Sequence, residues 1–120
     1  MVLVGDVEGK IAILVDDMAD TCGTLVKAAD TVMQHRAKEV VAIVTHGILS
    51  GKAIETLNGS KLSRVVVTNT VPHEGKKELC PRLDTIDISP TVSGDIFQAM
   101  RSAGEGWSAD LLVDLACGSL

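Results

Sequence analysis

The chain has 120 residues, 46% of them hydrophobic, and a formal net charge of -5. That length suits one domain with a sizeable core, and the acidic balance argues against non-specific nucleic-acid binding, which needs a basic face. No apolar stretch reaches the ~18 residues that span a membrane, and the N-terminus lacks the basic, apolar and cleavage regions of a signal peptide.

Val2-Leu3-Val4 reads as a short hairpin partner of Ile11-Ala12-Ile13-Leu14-Val15, with the turn near Glu8-Gly9. The second run predicts a β-strand. Asp16-Asp17-Met18-Ala19-Asp20-Thr21-Cys22-Gly23-Thr24 follows as a loop, and an amphipathic helix begins at Leu25. Leu25, Ala28, Ala29, Val32 and Met33 share one face of that helix; Lys27, Asp30 and Gln34 share the other. It ends near His35-Arg36, where cations suit the C-terminal end of the helix dipole. Val40-Val41-Ala42-Ile43-Val44 is a continuous apolar run, the pattern of a strand buried on both faces. Thr45-His46-Gly47 follows it. Ser50 is the expected N-cap of a short helix carrying Ala53, Ile54 and Leu57, which Asn58-Gly59 stops.

Val65-Val66-Val67-Thr68 predicts the next strand, with Asn69-Thr70 at its tip. The charged stretch from His73 to Arg82 reads as a connection with one helical turn. Thr85-Ile86-Asp87-Ile88 predicts a fourth strand, and Ser89-Pro90 supplies the N-cap and first residue of a last helix. Val92, Ile96, Phe97 and Met100 are that helix's expected buried stripe. The tail from Ala103 is Gly-rich, and Leu111, Leu112, Val113 and Leu115 then read as a short helix. Four parallel strands joined by helical crossovers define a doubly wound, mostly parallel α/β sheet, with residues 1–120 as one domain. One Phe, one Trp and no Tyr leave the core to aliphatic residues, as such a sheet prefers. Ligands bind beyond the carboxyl ends of the strands in these folds. The first loop, Thr45-His46-Gly47 and Asn69-Thr70 should gather on that edge.

A strand, a tight loop and a helix N-terminus make an anion site, because the free amides of the first turn point outward and the dipole favours negative charge. Asp16 and Asp17 repel one another and resist burial; at a strand tip such a pair suits solvent, a cap, a hydrated metal or sugar hydroxyls. Thr21, Cys22, Gly23 and Thr24 are small enough to let a phosphate approach the backbone, and Gly23 permits unusual dihedrals. Asp20 is tolerable there when its N–H, rather than its carboxylate, faces the ligand. The ingredients suit a sugar phosphate. Cys22 should have a somewhat lowered pKa at a helix N-terminus, but no base lies nearby in sequence and it reads as a small loop residue. Cys80 and Cys117 read as inert; three cysteines without metal-ligand spacing fit a reduced, cytoplasmic protein. His46 is equally open to a ligand-facing or a structural role, with no zinc-spaced partner. Gly47-Ile48-Leu49-Ser50-Gly51-Lys52-Ala53 hints at a nucleotide loop, but it is one residue short between its glycines and has Ala after the Lys. It reads as a connection.

Val15 to Thr24 resembles the phosphoribosyl-pyrophosphate-binding motif. With Val4-Gly5-Asp6-Val7, Thr45-His46-Gly47, Ser50-Gly51, Val65 to Thr70 and Ile86-Asp87-Ile88-Ser89, the chain is similar to the ribose-phosphate pyrophosphokinase family in order and spacing. The likeness runs from Met1 to about Arg101 and covers the family's C-terminal half only. It implies a phosphoribosyltransferase-like fold and transfer of the β,γ-diphosphoryl group of ATP to ribose 5-phosphate, with Mg²⁺ as cofactor. By the same resemblance Asp16 holds the ribose hydroxyls with Asp17 beside it, and Asp20, Thr21, Cys22, Gly23 and Thr24 grip the 5-phosphate. No catalytic residue and no metal ligand is assigned. The family's ATP-binding segments, metal-binding histidine region and flexible loop with catalytic Lys and Arg belong to the half not matched, so ATP is expected to bind mainly there and the chain to be inactive alone. Homo-oligomers or association with full-length subunits are expected; no nucleic acid or membrane partner is. The tail, residues 103–120, departs from the family's ending, from Gly104-Glu105-Gly106-Trp107 onward. Two alternatives stand: a non-catalytic synthetase-associated subunit, and a small phosphoribosyltransferase, for which no aromatic residue is placed to stack a base.

Overall fold

The computed structural model describes Leu3 and residues 5–102. Among these lie four strands, β1 (Ile11–Ala19), β2 (Glu39–Gly47), β3 (Arg64–Thr68) and β4 (Leu83–Ile86). They alternate with α1 (Gly23–Gln34), α2 (Ala53–Asn58), the single turn α3 (Lys76–Leu79) and α4 (Ser89–Ser102). The strands form one all-parallel sheet in the order β1-β2-β3-β4, the α/β architecture expected from the alternating patterns. None of the helices is long and apolar enough to cross a membrane.

Contacts divide the chain into a unit ending at Ile86 and a second beginning at Asp87. In the first, side chains alternate along each strand, so Val40, Ala42, Val44, Val65, Val67 and Leu83 fall on one face and are buried. Leu25, Ala29 and Val32 of α1 and Ala53 and Leu57 of α2 belong to the same core. Right-handed crossovers between successive neighbouring strands bring their helices to one side, and that is the side these residues fill. The opposite face stays open, with Ile13 at 58%, Val15 at 78% and Ile43 at 40% exposure. The Val40–Val44 run is therefore buried on one face and not on both, as its composition had suggested.

Four elements differ from their expected bounds. β1 continues through Asp16, Asp17 and Met18, and β2 through Thr45 and His46, because the parallel ladder pairs Asp16 with Val44, Met18 with His46 and Ala19 with Gly47. Backbone pairing tolerates polar side chains at a sheet edge, so the strands outrun their apolar cores. α1 starts at Gly23, ahead of the predicted Leu25. β4 spans Leu83–Ile86 in place of 85–88, since Leu83 is fully buried and paired with Val65. The Glu8-Gly9 turn is present, with the Lys10 N–H donating to the Val7 carbonyl at 3.0 Å. Its predicted partner strand at Val2–Val4 lies largely outside the described residues, as does the helix expected near Leu111.

In the second unit, α4 begins at the Ser89-Pro90 pair, and the Asp87 carboxylate accepts the Ser89 N–H at 2.9 Å. Its expected apolar stripe is corrected. Ser89 and Ser93 are the buried residues, while Val92 and Ile96 are exposed and Phe97 and Met100 are half-buried. Small residues, not the large apolar ones, occupy the buried positions.

Candidate functional site

β1 carries Asp16 and Asp17 to the carboxyl edge of the sheet. As consecutive strand residues they leave on opposite faces: Asp16 with Leu14 on the helix-covered side, Asp17 with Val15 on the open side. The Asp16 carboxylate accepts the Asp17 N–H at 2.9 Å. Asp20 and Thr21 then lead to Cys22, the N-cap of α1, which adopts φ +66°. That left-handed conformation is uncommon for a residue with a side chain, and it turns the chain so that Gly23 opens the helix. No side chain caps α1 and no acid lies in its first turn. Its leading amides are thus left to water or to an anion. Residues 16–25 together line a recess of about 330 Å³. Its lining holds three carboxylates and no Lys or Arg. Attraction for an anion must come from backbone amides and the helix dipole.

The pKa expected of Cys22 is overturned. Burial pushes the thiol up to about 11, with the nearby Asp20 and Cys80 adding to the effect. Only 4% of the residue is exposed, and desolvation of a thiolate outweighs the helix dipole there. The sulfur faces the Asp20 carbonyl at 3.8 Å. Cys22 is therefore a packing residue and not a nucleophile at neutral pH. Cys80 is buried as well, and Cys117 lies outside the described residues.

The segment dismissed as a connection is what roots the loop. The N–H groups of Ile48 and Leu49 donate to the Ala19 carbonyl at 2.9 and 3.1 Å, and the Ser50 N–H donates to the Asp20 carbonyl at 3.1 Å. The Ser50 hydroxyl donates to the Asp20 carboxylate. Ser50 does not cap α2, whose N-cap is Lys52. No sequence signal links residues 30 apart, so periodicity and spacing had no means of finding this contact. Thr45-His46-Gly47 is tied to the neighbouring strand end. The Thr68 hydroxyl donates to the Thr45 carbonyl at 2.6 Å, and His46 Nδ1 pairs with the Thr70 hydroxyl at 2.8 Å. His46 is not among the residues that line the recess, so the structure favours its structural role.

Mg²⁺ is ordinarily held by one or two carboxylates together with substrate phosphates and waters. Among the described residues no three His, Cys, Asp or Glu side chains gather as a metal site, and Asp16 and Asp17 diverge. The described residues offer no metal cage of their own.

The first unit is thus a parallel α/β sheet with an acidic strand tip and an uncapped helix start at its carboxyl edge. Residues 1–107 match the family described as phosphoribosyl synthetase-associated domain, and the chain belongs to that family. It is 65% identical over 96 residues to ribose-phosphate pyrophosphokinase 3 of Saccharomyces cerevisiae, covering 80% of this chain and 30% of that protein. It is 56% identical over 116 residues to ribose-phosphate pyrophosphokinase 2 of Schizosaccharomyces pombe, covering 97% and 35%. Among solved structures, phosphoribosylpyrophosphate synthetase from Mycobacterium smegmatis superposes with a TM-score of 0.77 at 38% identity, covering 82% of this chain and 33% of that one. The chain thus spans about a third of the length of these relatives.

Proposed function

We propose that this chain carries the ribose-5-phosphate half-site of a ribose-phosphate diphosphokinase, which converts ATP and ribose 5-phosphate to phosphoribosyl pyrophosphate and AMP. One observation carries the reading: the uncapped start of α1 opens onto the recess that also holds Asp16 and Asp17. The 5-phosphate rests on the backbone amides of Asp20, Thr21, Cys22, Gly23 and Thr24, with the two Thr hydroxyls as further donors. Asp16, on the α1 side, accepts hydrogen bonds from the ribose hydroxyls, and Asp17 stands beside it. ATP contacts come mainly from the part of the longer relatives that this chain does not span, and Mg²⁺ arrives with the ATP phosphates. With three carboxylates and no cation in the lining, binding is weak, with a dissociation constant on the order of millimolar. The chain makes no phosphoribosyl pyrophosphate alone.

Titration with ribose 5-phosphate, followed by amide chemical shifts, tests this. Saturable shifts are expected across Asp20–Thr24. Asp16→Asn should weaken binding by about tenfold, the effect of losing a charged acceptor, and Asp17→Asn by less. A folded sample with no saturable change counts against the site. Robust AMP formation from ATP and ribose 5-phosphate refutes the inactivity.

The open sheet face favours a second reading, in keeping with the family's description: a non-catalytic subunit that associates with its own copies or with full-length synthetase subunits. Co-purification with a catalytic subunit in the absence of any ribose 5-phosphate binding would support it.

A further inference from the structure

We propose that Ser50 is a positioning residue for the sugar-phosphate loop: its hydroxyl holds the Asp20 carboxylate away from the leading amides of α1. The inference rests on the ribose-5-phosphate site proposed above. Asp20 precedes the N-cap Cys22 by two residues. A carboxylate so close to a helix start is a natural competitor for the same amides. Asp is among the most favourable capping residues, and the dipole draws negative charge to that end. Yet α1 has no side-chain cap. The Asp20 carboxylate is engaged elsewhere, accepting the Ser50 hydroxyl, while the Asp20 carbonyl accepts the Ser50 N–H at 3.1 Å. Both ends of Asp20 are therefore gripped by one residue from the β2–α2 connection.

The grip is built into the backbone. Leu49, next to Ser50, sits at φ +52° and is only 4% exposed. A bulky residue in that region is strained, and burial of its side chain holds it there. The conformation presents Ser50 to the loop. A loop that must receive a phosphate has to keep its own acid out of the cradle, and Ser50 does this by occupying the carboxylate with a hydrogen bond.

The test is ribose 5-phosphate titration of the unaltered chain, Ser50→Ala, Asp20→Ala and the Ser50→Ala/Asp20→Ala double variant. Ser50→Ala should raise the dissociation constant by about fivefold, the typical strength of a side-chain cap set against the ligand. Asp20→Ala keeps the backbone amide and removes only the competing carboxylate, and serves as the reference for the double variant. Adding Asp20→Ala to Ser50→Ala should restore binding, because the competitor is gone. A merely slack loop would leave the double variant as weak as Ser50→Ala, and that result overturns the proposal, as does unchanged binding by Ser50→Ala. Should Ser50→Ala fail to fold, Ser50→Thr and Ser50→Val differ only by a hydroxyl against a methyl. Thr should bind like the unaltered chain and Val about fivefold more weakly; equal binding by the two overturns it. An unaltered chain with no saturable binding removes the site itself, and this inference with it.

Discussion

At Gly47 the missing side chain lets His73 approach the backbone, and His73 Nε2 donates to the Gly47 carbonyl at 2.7 Å. A Cβ there would lie 2.8 Å from that nitrogen and 2.8 Å from Val67 Cγ1. Val67 is fully buried and cannot retreat. Gly47→Ala is expected to destabilise the fold by about 1–3 kcal/mol, the usual effect of overpacking. A urea denaturation midpoint equal to the parent's would contradict this. Cys22 supplies a second residue-scale test. Its folded thiol titrates at about 11, above the ordinary 9.0. Protonation is therefore favoured in the folded state, so the contribution is complete below pH 9 and is lost as pH rises from 9 toward 11. Thermal melts of the parent should fall across that window more steeply than those of Cys22→Ala, which has no thiol to ionise. Parallel curves would mean that the thiol is not held in a desolvated site.

The elements show what their residues disclosed and what they withheld. The apolar runs at 11–15, 40–44 and 65–68 marked three strands, and the stripe from Leu25 to Met33 marked α1, because each pattern reports burial along one segment. Strand ends were hidden: Asp16, Asp17, Thr45 and His46 look like loop residues, and only the ladder between β1 and β2 extends them. The acidic pair and small-residue loop were legible as a candidate anion site, since they lie within one short stretch. Its support was not, because Ile48, Leu49 and Ser50 act through contacts with Ala19 and Asp20 that exist only once β1 and β2 are side by side. The three amides of that connection donate to carbonyls of the loop root, so hydrogen exchange should find them protected to the same degree as the β2 amides. Exchange as fast as that of an exposed loop would show that the connection is not anchored.

Across the first unit as a whole, one face of the sheet carries the core and the other carries apolar residues into water. Parallel sheets are almost always covered on both faces. By register Ile13 lies beside Val41, Val15 beside Ile43, and Ile43 beside Val66, so these side chains are neighbours on the open face and not scattered singles. Exposed apolar patches of this kind mark interaction surfaces. We therefore expect the chain to self-associate through this face or to dock on longer synthetase subunits. Sedimentation velocity at micromolar concentration should show species heavier than the monomer, and Ile13→Glu with Val15→Lys should return the chain to the monomer. The fold of a single copy should lose little, because side chains 58% and 78% exposed contribute little burial to it. Loss of assembly with an unchanged melting temperature separates a docking role from a core role. A parent that sediments only as a monomer, or a double variant that assembles as readily as the parent, would show that water, and not a partner, is what this face meets.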